Sequence, residues 1–241
     1  MTNRETRNER VRNGDGRELA DARDRADGNK TIMAILFFGG VWGIMEATLG
    51  FLLHLLPRVM LFPRIAGFVM FPIGLIFLIG AAHATRRPSS ALGVAAVAAM
   101  VKLASVALPV VRWNFVRNPA LAIISEGLIV FLGLYVTGFA KVSLRSVTTA
   151  LGVSLGWRGI FLLLNVILGI RGGIMARPTG ALLQFVFFEG AVNAALIVVF
   201  MAAGTIPWLI SAKVRNAVVR PVPVAAALVV AVIAEFGTAY I

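Results

Sequence analysis

The chain has 241 residues, of which 59% are hydrophobic and 14% charged, with a formal charge of +12. Soluble domains are roughly 45–50% apolar, so the composition specifies an all-α, polytopic integral membrane bundle of six to seven transmembrane helices. Cysteine is absent, which excludes disulfides, thiolate nucleophiles and Cys-ligated metal or haem sites; the basic residues are spread over every loop without interleaved aromatics, a pattern of membrane topology and not of nucleic-acid binding.

Residues 1–30 alternate arginine with glutamate and aspartate and hold almost nothing to bury. That is the signature of a disordered or weakly helical, solvated cytoplasmic tail. It is too acidic for a transit peptide, and the apolar run behind it is too long for the core of a signal peptide. The segment serves either as a plain solvated tail or as a docking element for a partner.

Seven apolar runs follow. They extend from about Thr31 to Leu56, Gly67 to Thr85, Ser89 to Leu108, Pro119 to Ala140, Ser146 to Ile170, Gly180 to Ala203 and Pro223 to Ile241. Each approaches the length of about 20 residues needed to cross roughly 30 Å of hydrocarbon. The breaks carry proline and arginine, as at Pro57-Arg58, Arg86-Arg87-Pro88, Arg117-Asn118-Pro119, Arg177-Pro178 and Arg220-Pro221. Proline suits the first helical turn and arginine anchors in headgroups. Residues 31–203 thus form a six-helix membrane domain. Residues 204–241 hold an interfacial stretch, Thr205 to Arg220, and a possible seventh span.

Counted from Arg17 onwards, a cytoplasmic N-terminus places eleven basic residues inside (Arg17, Arg23, Arg25, Lys30, Arg86, Arg87, Lys141, Arg145, Lys213, Arg215 and Arg220) and six outside (Arg58, Arg64, Arg112, Arg117, Arg171 and Arg177). The bias favours a multi-pass protein of the cell membrane with its N-terminus in the cytoplasm. The paired outer arginines either anchor headgroups or form an electropositive vestibule for an anionic solute.

Beyond residue 30 there is no aspartate, and each of the four glutamates (Glu46, Glu126, Glu189 and Glu235) lies inside an apolar run. An ionisable group at membrane depth is costly and usually faces a bundle interior with a partner. At 1.5 Å per residue, Lys102 and Glu126 sit roughly 10 Å below the outer surface, with Glu46 and Glu189 roughly 14–16 Å down. Asn165 and Gln184 fall in the same zone, while Arg158 and Glu235 lie deeper, near the midplane. Such a convergent polar set reads either as a solute pocket or, for Lys102 and one glutamate, as an ion pair locking two helices. Gly39, Gly43 and Ala47 recur every four residues, a small-residue stripe for close packing either within the chain or against another protein.

An enzyme is not expected. HExxH and the P-loop pattern are missing, and His54 and His83 fall at opposite faces of the membrane, so neither a shared metal nor any other cofactor is expected.

The stretch 42–57, WGIMEATLGFLLHLLP, and the stretch 112–128, RWNFVRNPALAIISEGL, resemble helix one and the turn into helix four of the substrate-binding S components of energy-coupling factor transporters. The resemblance spans about Thr31 to Ala203 and is architectural. It implies uptake of a small vitamin-like or anionic solute from outside. Glu46, Lys102, Glu126, Asn165, Gln184 and Glu189 would bind it, with Arg112 and Trp113 in a capping loop. It also implies that Gly39, Gly43 and Ala47 meet a transmembrane coupling protein driven by partner ATPase subunits. The seventh run and the charged tail depart from that family. Two alternatives stand beside it: a proton- or ion-coupled carrier or channel relaying through Glu46, Glu126 and Glu189, and a structural or assembly subunit.

Overall fold

The structure is a computed structural model describing residues 3–55, 65–109, 111, 113–137, 147–202 and 220–238. In chain order the elements are α1 (Asn3–Met45), a π-helical turn (Glu46–Gly50), α2 (Phe51–Leu55), α3 (Ile65–Thr85), α4 (Ser89–Ala104), α5 (Trp113–Thr137), α6 (Val147–Ile167), α7 (Thr179–Leu183), a second π-helical turn (Gln184–Phe188), α8 (Glu189–Ala202) and α9 (Pro221–Thr238). Each π-turn joins its two neighbours into one rod.

Among the described residues seven helical segments are long and apolar enough to cross a membrane: Asp24–Leu53, Ala66–Thr85, Ser89–Ala107, Val116–Thr137, Val147–Ile167, Thr179–Phe200 and Pro221–Thr238. The protein is therefore an all-α, multi-pass bundle, and the C-terminal run is a helix of full spanning length. Six of the seven runs match these segments to within a few residues at each end. The first differs most, because α1 starts at Asn3 and runs through the charged segment, the helical form of the two expected for it. Opposite charges at helical spacing occur within it: Lys30 Nζ lies 3.1 Å from Asp27 Oδ1, three residues back. The interfacial stretch 205–219 lies outside the described residues.

Helix α3 occupies the middle, touching α1, α4, α5 and α8, while α4 packs on α5 and α1, α5 on α6, and α6 on α8. Helix α9 sits outside this group, against α1 and α4. The core threads these contacts with Phe38, Trp42, Phe71, Leu75, Leu78 and Ile123, all 1% exposed or less.

Small residues set the close crossings. A Cβ placed on Gly39 would lie 2.6 Å from Val97 Cβ, and one on Gly43 would lie 3.0 Å from Val101 Cγ1. Both partners are on α4, and Ala47 is fully buried. The small-residue stripe offered to a coupling protein by the family resemblance is thus occupied inside the chain. On the next residue round, Gly40 admits Ala227 of α9, whose carbonyl carbon is 3.2 Å from a Cβ built there.

Helix α3 carries Pro72 in its interior. Proline has no N–H, so the carbonyl four residues back, that of Phe68, loses its helical donor. In a membrane no water replaces it. Asn193 of α8, fully buried, donates from Nδ2 to the Phe68 oxygen at 2.8 Å, with Gly67 O a longer 3.4 Å away. A proline-made defect in one span is therefore closed by a side chain from another.

Candidate functional site: a belt of buried charge

The four membrane glutamates are all buried, at 8% exposure for Glu46, 5% for Glu126 and Glu189, and 3% for Glu235. Against these carboxyls the spans set two buried or largely buried cations, Lys102 and Arg158.

At the edge of the bundle, Lys102 of α4 grips Glu235 of α9, with Nζ 2.9 Å from Oε1 and 3.1 Å from Oε2. Lys102 thus has the geometry of the ion-pair alternative, joining two helices. The pairing also corrects the depth of Glu235. The ion pair holds Glu235 level with Lys102, where the arithmetic on its run placed it deeper. One reason is that α9 begins at Pro221, two residues before the run read from the sequence.

Glu46 is next inward, within electrostatic reach of both Lys102 and Glu235. It opens the first π-turn, and its Oε2 would be 3.1 Å from a Cβ on Gly50, so the carboxyl folds back over that turn. Trp42, one turn earlier, leans towards Glu46, yet its buried Nε1 closes no hydrogen bond of acceptable geometry among the described residues. The Trp42 ring lies over Gly74 of α3, where a Cβ would stand 2.6 Å from Cζ2 and 3.1 Å from Glu126 Oε2. Gly74 is where α1, α3 and α5 meet at close range.

Glu126 of α5 lies in electrostatic reach of Glu46 on one side and Arg158 on the other. Its Oε2 is buried and has no hydrogen-bond donor among the described residues. Arg158 of α6 is 1% exposed and stacks on Trp157 at 4.4 Å and Phe185 at 5.2 Å. Those rings continue into Phe71, 5.3 Å from Trp157, and Phe161, 6.0 Å from Phe185. Glu189 starts α8 directly after the second π-turn. The charges therefore run across the bundle as a belt from α9 through α4, α1 and α5 to α6.

Two local devices hold this belt. Each of Glu46, Glu126 and Glu189 is followed by a small residue, and a neighbouring helix closes on at least two of these. Gly127 abuts Ala95 of α4, and a Cβ on Gly190 would be 2.6 Å from Leu155 Cδ2 of α6. The close approach walls the carboxyl from lipid. In addition, Glu46 begins one π-turn and Glu189 follows the other; such turns disrupt the regular ladder and often mark functional positions.

The remaining expected site residues scatter. Trp113 is 51% exposed at the start of α5. Gln184 is exposed on the second π-turn. Asn165 is buried but donates to Phe161 O at 2.8 Å within its own helix. Arg112 lies outside the described residues. The structure thus gathers Glu46, Lys102, Glu126, Arg158 and Glu235, and leaves Trp113 and Gln184 on the surface. Trp42 and Gly74 were missed by sequence reasoning. A tryptophan one turn before a buried glutamate is a usable signal, whereas Gly74 has none of its own. No protein-family model, curated protein or solved structure matches this chain.

Proposed function

We propose that this chain is a membrane transport protein in which Glu46 and Glu126 form the coupling site, taking up and releasing a proton or a small monovalent cation as solute crosses. The observation that carries the reading is Glu126: a carboxyl at 5% exposure, with one oxygen lacking a donor among the described residues and a second carboxyl, Glu46, in electrostatic reach. Intramembrane carboxyls arranged in this way serve as relay and ion sites in pumps and transporters. Among the described residues three carboxyls, those of Glu46, Glu126 and Glu235, stand in the belt against Lys102 and Arg158 and leave it short of positive charge, and an incoming proton or cation supplies it. Glu235 is committed to Lys102, which leaves Glu46 and Glu126 as the pair available for exchange. Gly39 and Gly43 meet α4, so this reading rests on the carboxyls and not on a coupling partner.

The test is flux in proteoliposomes energised by a potassium–valinomycin potential. Proton entry is read by an internal pH dye and sodium entry by isotope, with and without an external mixture of amino acids, nucleosides and vitamins. The wild-type chain should exceed empty liposomes for one of the two ions. Glu126→Gln should abolish that flux while leaving the protein folded by circular dichroism. Flux indistinguishable from empty liposomes under every condition, or an unimpaired Glu126→Gln protein, refutes the proposal.

A further inference from the structure

Away from the belt, a groove of about 600 Å³ runs between α4 and α5, inside the roughly 300–1,000 Å³ range of small-molecule sites. Ala96, Ala99 and Ala120 lie in its lining beside Met100, with Trp113 and Arg117 among the other lining residues. Alanines make the depth: larger side chains there would fill it. Met100 is 60% exposed and Trp113 51%, so the groove opens sideways, towards the region that lipid occupies around a membrane-spanning bundle.

Among the described residues Arg117 is the one charged group in the lining. Its Nε and Nη2 donate to the neutral Asn118 Oδ1 at 3.3 and 3.2 Å. A guanidinium has five N–H donors in a fixed fork that matches phosphate, so donors remain for an anion. The chain itself is poorly placed to provide one: beyond residue 30 its acidic residues are Glu46, Glu126, Glu189 and Glu235, all within helices and all buried. We infer that this groove is a site for an anionic phospholipid, with an acyl chain on the alanine lining and the phosphate on Arg117. Trp113 is of the type that settles at headgroup level in interfacial belts. A soluble metabolite would meet one charge and an otherwise apolar wall, whereas a lipid matches both parts. The inference is independent of the carboxyl coupling site.

Native mass spectrometry of the full chain in mild detergent tests it, with phosphatidylglycerol and phosphatidylcholine of identical acyl chains titrated separately. A basic residue contributes enough to prefer the anionic lipid by about fivefold. Arg117→Gln should bring the two lipids level, and Ala96→Phe, which fills the groove, should weaken both. Equal binding by the wild-type chain, or a preference that survives Arg117→Gln, overturns the inference. So does displacement of the preference by inorganic phosphate alone with Ala96→Phe silent, which would assign Arg117 to a soluble anion. Circular dichroism and size-exclusion profiles identify any variant that fails to fold, and Ala96→Leu then replaces Ala96→Phe.

Discussion

Asn193 and Pro72 should be energetically coupled although they lie on different spans. Asn193→Leu keeps the approximate volume of the side chain and removes the amide that donates to Phe68 O at 2.8 Å. An acceptor buried without its donor costs about 1–3 kcal/mol, while interhelical hydrogen bonds in membranes average about 0.6 and reach about 1.7 kcal/mol. We therefore expect a loss near 1 kcal/mol, or about fivefold in the unfolding equilibrium. In a Pro72→Ala background residue 72 regains an N–H that reaches the Phe68 carbonyl, so Asn193→Leu should then cost close to nothing. The coupling free energy from the four proteins should be about 1 kcal/mol. Equilibrium unfolding in SDS mixed micelles, followed by circular dichroism, measures it. An equal loss in both backgrounds would refute the reasoning, because the amide would then act by packing alone.

The edge ion pair gives a second expectation. Glu235→Gln strands the Lys102 ammonium and should cost about 3 kcal/mol, the low end for a broken buried pair, since the Lys102 side chain keeps 16% of its surface. Lys102→Met with Glu235→Leu should recover most of that loss in the same unfolding assay. The α1–α4 crossing gives a third. Gly39→Ala would bring a methyl group to 2.6 Å from Val97 Cβ, and overpacking of this kind costs about 1–3 kcal/mol. Val97→Ala in the same chain should relieve part of it, and simple additivity of the two losses would count against the contact.

The spans were legible because apolar runs of spanning length alternate with Pro- and Arg-bearing breaks, and α3 to α9 follow them closely. Glu46 and Glu126 stood out for the same reason: an acid inside an apolar run has few structural excuses. Pairing was less legible. Nothing in the one-dimensional pattern assigns Lys102 to a residue 133 positions away, and depth arithmetic put Glu235 on another level. The spacing of Gly39 and Gly43 announces a close approach without naming the helix that approaches, and here it is α4 of the same chain. The two π-turns leave no trace in hydrophobic periodicity, since one extra residue per turn is lost among uniformly apolar neighbours. Asn193 was passed over because its role depends on a proline in a different run.

The bond between Lys102 and Glu235 also has a history during synthesis. When Lys102 is joined to the nascent chain, its partner is still 133 residues from being translated. At about 5–20 residues per second the ammonium waits roughly 7–27 s before the carboxyl exists. During that interval the ammonium, on the flank where α9 will dock, lacks its ion-pair partner and has the carboxyl of Glu46 in electrostatic reach. A ribosome that stops before Glu235 leaves that ammonium without its ion pair, so the arrival of α9 is written into the electrostatics of the third span.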